Sequence, residues 1–145
     1  MSDQSISDLR KDYQKDSLTR AELLSDPMQQ FQSWLDTAIK AKVLEPTAMN
    51  LATSSAEGVI SSRMVLLKDL DARGFSFFTN YESRKASDLA EHGRAALCFW
   101  WGALERQVRI EGVIEKVSAQ DSDDYYSRRP RGSRIGAIAS RQSTE

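Results

Sequence analysis

MNLATSSAEGVISSRMVLLKDLDARGFSFFT, residues 49–79, is the stretch on which the fold turns. Its apolar residues follow a period near two, the spacing of a strand with one face buried. Two short turns, Ser55-Ala56-Glu57-Gly58 and Asp71-Ala72-Arg73-Gly74, each close on a glycine. They cut the stretch into strands at Met49–Ser54, Val59–Leu70 and Phe75–Thr79, an antiparallel meander.

Upstream the period is helical. Asp26-Pro27-Met28-Gln29 starts a helix, with Asp as N-cap, Pro at the first helical position and Gln29 where a capping box wants it. Met28, Phe31, Trp34, Leu35, Ala38 and Ile39 form its apolar stripe, and it ends before Pro46. Residues 1–24 are polar, with scattered Ile6, Leu9, Leu18, Leu23 and Leu24, and read as a weakly ordered arm or short helix.

Downstream, a short helix is expected from Ser83 to His92 with Gly93 as its left-handed stop. Strands follow at Arg94–Trp101 and Glu105–Val117, either side of Gly102. Ser118-Ala119-Gln120-Asp121 opens a helix to about Arg128, and Gly132–Ser140 suits a last short one. The expected fold is α+β and antiparallel, a curled sheet or small barrel with flanking helices. It divides into an arm, 1–24, and one domain, 25–145.

Composition narrows the chemistry. The 145 residues carry 20 Lys and Arg against 21 Asp and Glu, with 40% hydrophobic and 28% charged residues, so the composition is neither disordered nor membrane-like. The neutral balance argues against coating nucleic acid. One Cys and one His exclude Cys/His zinc clusters, so no metal site is expected. Cys98, between Leu97 and Phe99, reads as a buried thiol in a reducing compartment, which points to the cytoplasm. His92 reads as a cation at a helix end rather than a catalytic base. No run approaches membrane-spanning length.

Three clusters remain. In Ser62-Arg63-Met64-Val65-Leu66-Leu67-Lys68, three consecutive apolar residues suggest burial on both faces, with Arg63 and Lys68 reaching solvent at the ends. Arg63 and Lys68 differ in parity, so only a bulge or a wrapping ligand brings both to one molecule. In Thr79-Asn80-Tyr81-Glu82-Ser83-Arg84-Lys85, two cations in a first helical turn oppose the helix dipole unless a phosphate sits there; otherwise this is a solvated basic turn.

The third cluster spans Tyr125 to Arg134. Glu111–Asp124 holds five acids and one Lys, whereas Tyr125–Thr144 holds five Arg and no acid. Dense Arg beside Tyr125, Tyr126 and Ser133 suits a phosphate monoester, an acidic partner or a plain surface turn. Gln107 suits either the edge of a heteroaromatic ring or an ordinary outward position. Trp100 and Trp101, adjacent on a strand, point one each way, into core and interface.

Taken together, EPTAM (45–49), SRMVLLK (62–68), FFTNYESRKA (77–86), LERQVRIEG (104–112), YYSRRPRGSRIGA (125–137) and SRQS (140–143) resemble, in family order, the pyridoxine (pyridoxamine) 5'-phosphate oxidases. The resemblance implies a split β-barrel homodimer with flavin mononucleotide (FMN) at the subunit interface. It implies a flavin-binding set of Arg63, Met64, Val65, Leu66, Leu67, Lys68, Phe78, Thr79, Arg84, Lys85, Gln107, Gln142 and Ser143, with Arg84 and Lys85 on the flavin phosphate. Lys68, Tyr125, Arg129 and Ser133 match groups that hold the substrate phosphate, and Arg10 and Tyr13 match a segment that closes over the substrate. Arg128 and Arg131 match no contact.

The implied reaction passes a hydride equivalent from C4' of pyridoxamine or pyridoxine 5'-phosphate to flavin, with molecular oxygen as final acceptor and pyridoxal 5'-phosphate as product. The flavin carries the chemistry, so no catalytic side chain is named. Family members continue past SRQS to a Trp-containing flavin contact and an Arg-x-His pair at the substrate. This sequence stops at Glu145, so it is expected to be C-terminally truncated. The alternative is a non-catalytic module that binds FMN or pyridoxal phosphate, and a basic nucleic-acid surface is a third, weaker reading.

Overall fold

The computed structural model describes residues 5–14, 17–78 and 93–115. The helices expected at Ser83–His92, from Ser118 to Arg128 and at Gly132–Ser140 lie outside them. So do Thr79, Arg84, Lys85, Tyr125, Arg129, Ser133, Gln142 and Ser143.

The described elements are helix α1 (Pro27–Lys40) and strands β1 (Ala48–Ser54), β2 (Ile60–Asp71), β3 (Gly74–Phe77), β4 (Arg94–Trp101) and β5 (Arg106–Val113). The strands form one sheet in the order β3-β2-β1-β4-β5. β1 pairs antiparallel with both β2 and β4, and β2 with β3, so the expected meander is present. β5 is shorter than the expected 105–117. The chain divides into two compact units, residues 1–46 with 100–107, and residues 47–99 with 108–145.

In the first unit α1 begins where the sequence says it should. The Asp26 side chain accepts from the Met28 backbone N–H at 2.9 Å, and Pro27 occupies the first helical turn. The amide that reaches back is Gln30, not Gln29: its Oε1 accepts from the Leu24 N–H at 2.8 Å. Phe31, Leu35 and Ala38 are buried. Met28 and Trp34 are half-buried and Ile39 is exposed, so the stripe is narrower than expected and stops at Ala38. Burying a Phe or Leu side chain contributes about 1.5–3 kcal/mol, so Phe31 and Leu35 dominate this face.

Phe31 lies 5.8 Å from Trp101, ring centroid to centroid. Trp101 is 1% exposed, and its indole Nε1–H donates to the Pro46 carbonyl at 2.9 Å. That bond satisfies the one polar atom a buried indole brings with it. Arg106 stacks its guanidinium 4.4 Å from the Trp34 ring. Trp100, by contrast, is exposed, as expected for adjacent strand residues. The arm contains two short 3-10 turns, Ile6–Asp8 and Arg20–Glu22, in which the Asp8 carboxylate accepts from the Ser5 N–H at 3.3 Å and the Glu22 carboxylate from the Thr19 N–H at 3.0 Å.

In the second unit the core is built from one parity of each strand: Met49 and Leu51 of β1, Val65 and Leu67 of β2, Leu97 and Phe99 of β4. Phe75 of β3 stands 6.4 Å from Phe99. The two predicted turns are present, with Gly58 at φ +83° and Gly74 at φ +139°, values that disfavour any side chain. Ser55 N–H donates to Val59 O and Gly58 N–H to Ser55 O, while the Ser55 hydroxyl accepts from Val59 N–H. Gly93 is also left-handed, at φ +64°.

Candidate functional site

Strand β2 carries the richest part of the candidate set, and its alternation corrects two expectations. Val65 and Leu67 are buried, but Met64 is 63% and Leu66 42% exposed. The apolar run is therefore buried on one face only. In an antiparallel sheet a one-residue step reverses the side chain, and here Met64 and Leu66 share the outward parity with Ile60.

Arg63 falls on the inward parity and is half-buried rather than directed into solvent. Its Nη1 donates to the Leu51 carbonyl at 3.1 Å and to Thr53 Oγ1 at 2.9 Å. Thr53 is itself buried. A guanidinium is tolerated there because its donors meet acceptors on the neighbouring strand, at the end of the face where apolar packing gives way.

Lys68 is exposed, and a bulge, one of the two alternatives that parity left open, falls at its position. Leu67 pairs with Phe77, yet Asp69 pairs with Ser76, so β2 spends two steps where β3 spends one, and Lys68 is the extra residue. A bulge re-aims a side chain out of the regular alternation. Phe78, just past β3, is exposed.

The backbone of β2 adds a feature that side-chain reading missed. Leu67 N–H donates to Thr47 O, which fixes the ladder phase: odd residues from Ser61 to Leu67 face β1, and even residues face away. β3 pairs with β2 only from Leu67 onward. Among the described residues, the N–H and C=O groups of Ser62 and Met64 thus face an edge without a strand partner. A row of alternating donors and acceptors beside exposed apolar side chains suits a flat heterocycle with an amide-like edge.

In the other unit, Arg10, Tyr13 and Gln107 are all exposed. Tyr13 meets the Trp100 ring edge-on, with centroids 6.2 Å apart. The residue that sequence reasoning missed is Glu105. It sits in the left-handed region at φ +51°, and its side chain is only 6% exposed. Its Oε2 accepts from the Gln14 backbone N–H at 2.9 Å, and its Oε1 lies 3.3 Å from Lys11 Nζ. The only sequence signal was a charged residue directly after a Gly-containing reversal.

Cys98 is half-buried rather than buried, because it takes the outward parity of β4 opposite Asn50. No helix among the described residues is long and apolar enough to cross a membrane. An open groove of about 610 Å³ is lined by Thr53, Ile60, Arg94 and Glu111, and Thr53 is the residue that accepts from Arg63.

A five-stranded antiparallel sheet whose strand β2 carries an apolar outward face, an inward arginine and a bulged lysine defines a split-barrel protein of the α+β class. The comparisons agree. The structure of PhzG from Burkholderia lata 383, in complex with tetrahydrophenazine-1-carboxylic acid, superposes with a TM-score of 0.83 at 33% identity, covering 90% of this chain and 65% of that one. A pyridoxamine 5'-phosphate oxidase-related, FMN binding protein from Nostoc punctiforme shares the fold at 16% identity and a TM-score of 0.65, covering 79% of this chain and 63% of that one.

The family model described as pyridoxamine 5'-phosphate oxidase matches residues 35–145, and the chain belongs to that family. A protein of Cyanothece sp. named pyridoxine/pyridoxamine 5'-phosphate oxidase is 61% identical over 139 residues, 96% of this chain and 65% of its own length. One of the same name from Bordetella pertussis is 59% identical over 139 residues, 96% of this chain and 66% of its own length. The chain therefore spans about two thirds of the length of these curated relatives, falling just short of that fraction.

Proposed function

We propose that this chain forms the FMN-binding barrel of a pyridoxine/pyridoxamine 5'-phosphate oxidase, acting as a cytoplasmic homodimer with the cofactor at the subunit interface. The observation that carries the proposal is the edge of β2 at Ser62 and Met64, which has no strand partner among the described residues and lies beside exposed Met64 and Leu66 within the SRMVLLK motif. Those groups fit the flavin ring: its pyrimidine edge needs alternating donors and acceptors, and its faces need apolar cover.

In this reading the backbone from Arg63 to Lys68 holds the ring, with Phe78, Thr79, Gln107, Gln142 and Ser143 completing its surroundings. Arg63 also keeps β1 and β2 in register through Leu51 and Thr53. Arg84 and Lys85 neutralise the flavin phosphate. Lys68, turned by the bulge, reaches the substrate phosphate together with Tyr125, Arg129 and Ser133, and Arg10 and Tyr13 cover the substrate. FMN, when bound, would supply the redox chemistry, accepting a hydride equivalent from C4' and returning two electrons to oxygen as hydrogen peroxide; the alcohol substrate would give the aldehyde directly, and the imine from the amine substrate would be hydrolysed by water to the aldehyde and ammonia. The protein's own part is to orient C4' and to neutralise two phosphates.

An anaerobic visible spectrum tests this. The chain should take up FMN, turn yellow, and lose the flavin absorbance on addition of pyridoxamine 5'-phosphate. Colourless protein that takes up no added FMN would refute it. Bound flavin that the substrate does not bleach would instead select the non-catalytic module.

A further inference from the structure

We propose that Glu105 is a positioning residue, whose buried carboxylate fastens segment 10–14 of the arm to the turn between β4 and β5 and thereby sets where Tyr13 stands. The assignment of Arg10 and Tyr13 to a phosphorylated pyridine rests on the function proposed above; the fastening itself does not.

Three observations within one compact unit converge. The Glu105 carboxylate is withdrawn from solvent, its side chain 6% exposed, yet it bonds two points of the arm three residues apart, Lys11 Nζ at 3.3 Å and the Gln14 N–H at 2.9 Å. Tyr13, between those points, rests edge-on against Trp100, on the strand that enters the same turn. Glu105 also holds a left-handed backbone, φ +51°, a conformation that costs a non-glycine residue free energy and persists only where its surroundings impose it.

A mere surface ion pair would not need this arrangement. A carboxylate with a main-chain amide donor on one oxygen and an ammonium on the other holds a chain segment at a fixed position, because the amide belongs to the backbone and cannot swing away. Neither described 3-10 turn of the arm has a buried residue, so apolar burial in those turns adds little to the hold that Glu105 supplies. Arg10 and Tyr13 lie next to the two fastened residues, Lys11 and Gln14, and inherit their position.

Amide hydrogen exchange at Gln14 in the full chain tests the fastening, and pyridoxal 5'-phosphate binding to the FMN-loaded chain tests its use. Glu105→Ala should speed Gln14 exchange about tenfold, the effect of one lost charge-assisted bond, and weaken pyridoxal 5'-phosphate by a similar factor without changing FMN uptake. Glu105→Gln retains an acceptor for Gln14 and should recover much of both. Lys11→Met removes one partner without touching the strained turn, so it decides the matter if Glu105→Ala does not fold: Gln14 exchange should rise several-fold. Unchanged Gln14 exchange in the folded variants overturns the fastening. Faster exchange with unaltered ligand affinity overturns the positioning role. A wild-type chain that binds no pyridoxal 5'-phosphate counts against the proposed function, while the exchange measurement still decides the fastening.

Discussion

Replacing Arg63 by Met separates the two roles its position suggests. Met matches the length of the aliphatic stem but removes the Nη1 bonds to the Leu51 carbonyl, 3.1 Å, and to Thr53 Oγ1, 2.9 Å. A hydrogen bond with one charged partner contributes about 1.5–3 kcal/mol. Arg63 is half-exposed, so water replaces part of what is lost, whereas Thr53 is buried and loses an acceptor contact that solvent replaces poorly. The expected loss is about 2 kcal/mol, below the roughly 3–6 kcal/mol of two such bonds fully withdrawn from water, because solvent replaces part of what the guanidinium loses. For a domain of this size that lowers Tm by roughly 6–8 °C. Urea unfolding should show a lower midpoint with an unchanged slope, since no additional surface is exposed on unfolding. Arg63→Lys, which keeps the charge but not the planar fork, should fall between the two. The measurement is made without FMN, so the sheet term stands alone; repeating it at saturating FMN gives the cofactor term by difference. A loss under about 0.5 kcal/mol without FMN would show that the inward guanidinium is not holding the strands, and the reasoning from parity would fail.

Trp101→Phe keeps most of the ring volume but leaves the Pro46 carbonyl without its indole donor, so about 2 kcal/mol should be lost, visible as a lower urea midpoint. Gly58→Ala meets nothing within 4 Å of the new Cβ, so its cost is purely conformational, about 1 kcal/mol for a left-handed backbone; a neutral result would mean that the turn relaxes. The Arg73 side chain and its N–H hold Asp71 below the usual carboxylate range. Its folded pKa lies below its unfolded one, so its contribution is present above the unfolded value and lost as pH falls through the folded one. Asp71→Asn should flatten the acid limb of a stability–pH curve over that window and leave neutral pH little changed.

How much of this was legible depends on whether the deciding physics was local. The turns at Gly58 and Gly74 and the start of α1 at Asp26-Pro27 were readable because glycine, aspartate and proline act on their own backbone. The division of Trp100 and Trp101 followed from strand geometry alone. The reading of Val65-Leu66-Leu67 as buried on both faces failed because composition does not say whether a sheet is covered on its second side. The Arg63 contacts were hidden for a different reason: they depend on Leu51 and Thr53, brought opposite by the register of β1 and β2. Glu105 was illegible because its partners lie about ninety positions away.

In the proposed FMN site, six successive residues of one strand, Arg63 to Lys68, serve one site without all pointing at one ligand. Alternation turns Arg63, Val65 and Leu67 into the sheet, where they set register and core, and leaves Met64 and Leu66 to offer both an apolar surface and, at Met64, backbone groups that have no strand partner among the described residues. A ligand that reads main-chain groups is indifferent to side-chain identity at the inward positions, so those residues are constrained by packing and the outward ones by binding. The bulge then breaks the alternation at Lys68 and turns its cation off the regular faces. Conservative swaps at Val65 and Leu67 should therefore move stability with little effect on FMN affinity, whereas Leu66→Asp should do the reverse; the same ordering for both classes would mean that the two faces do not divide the work.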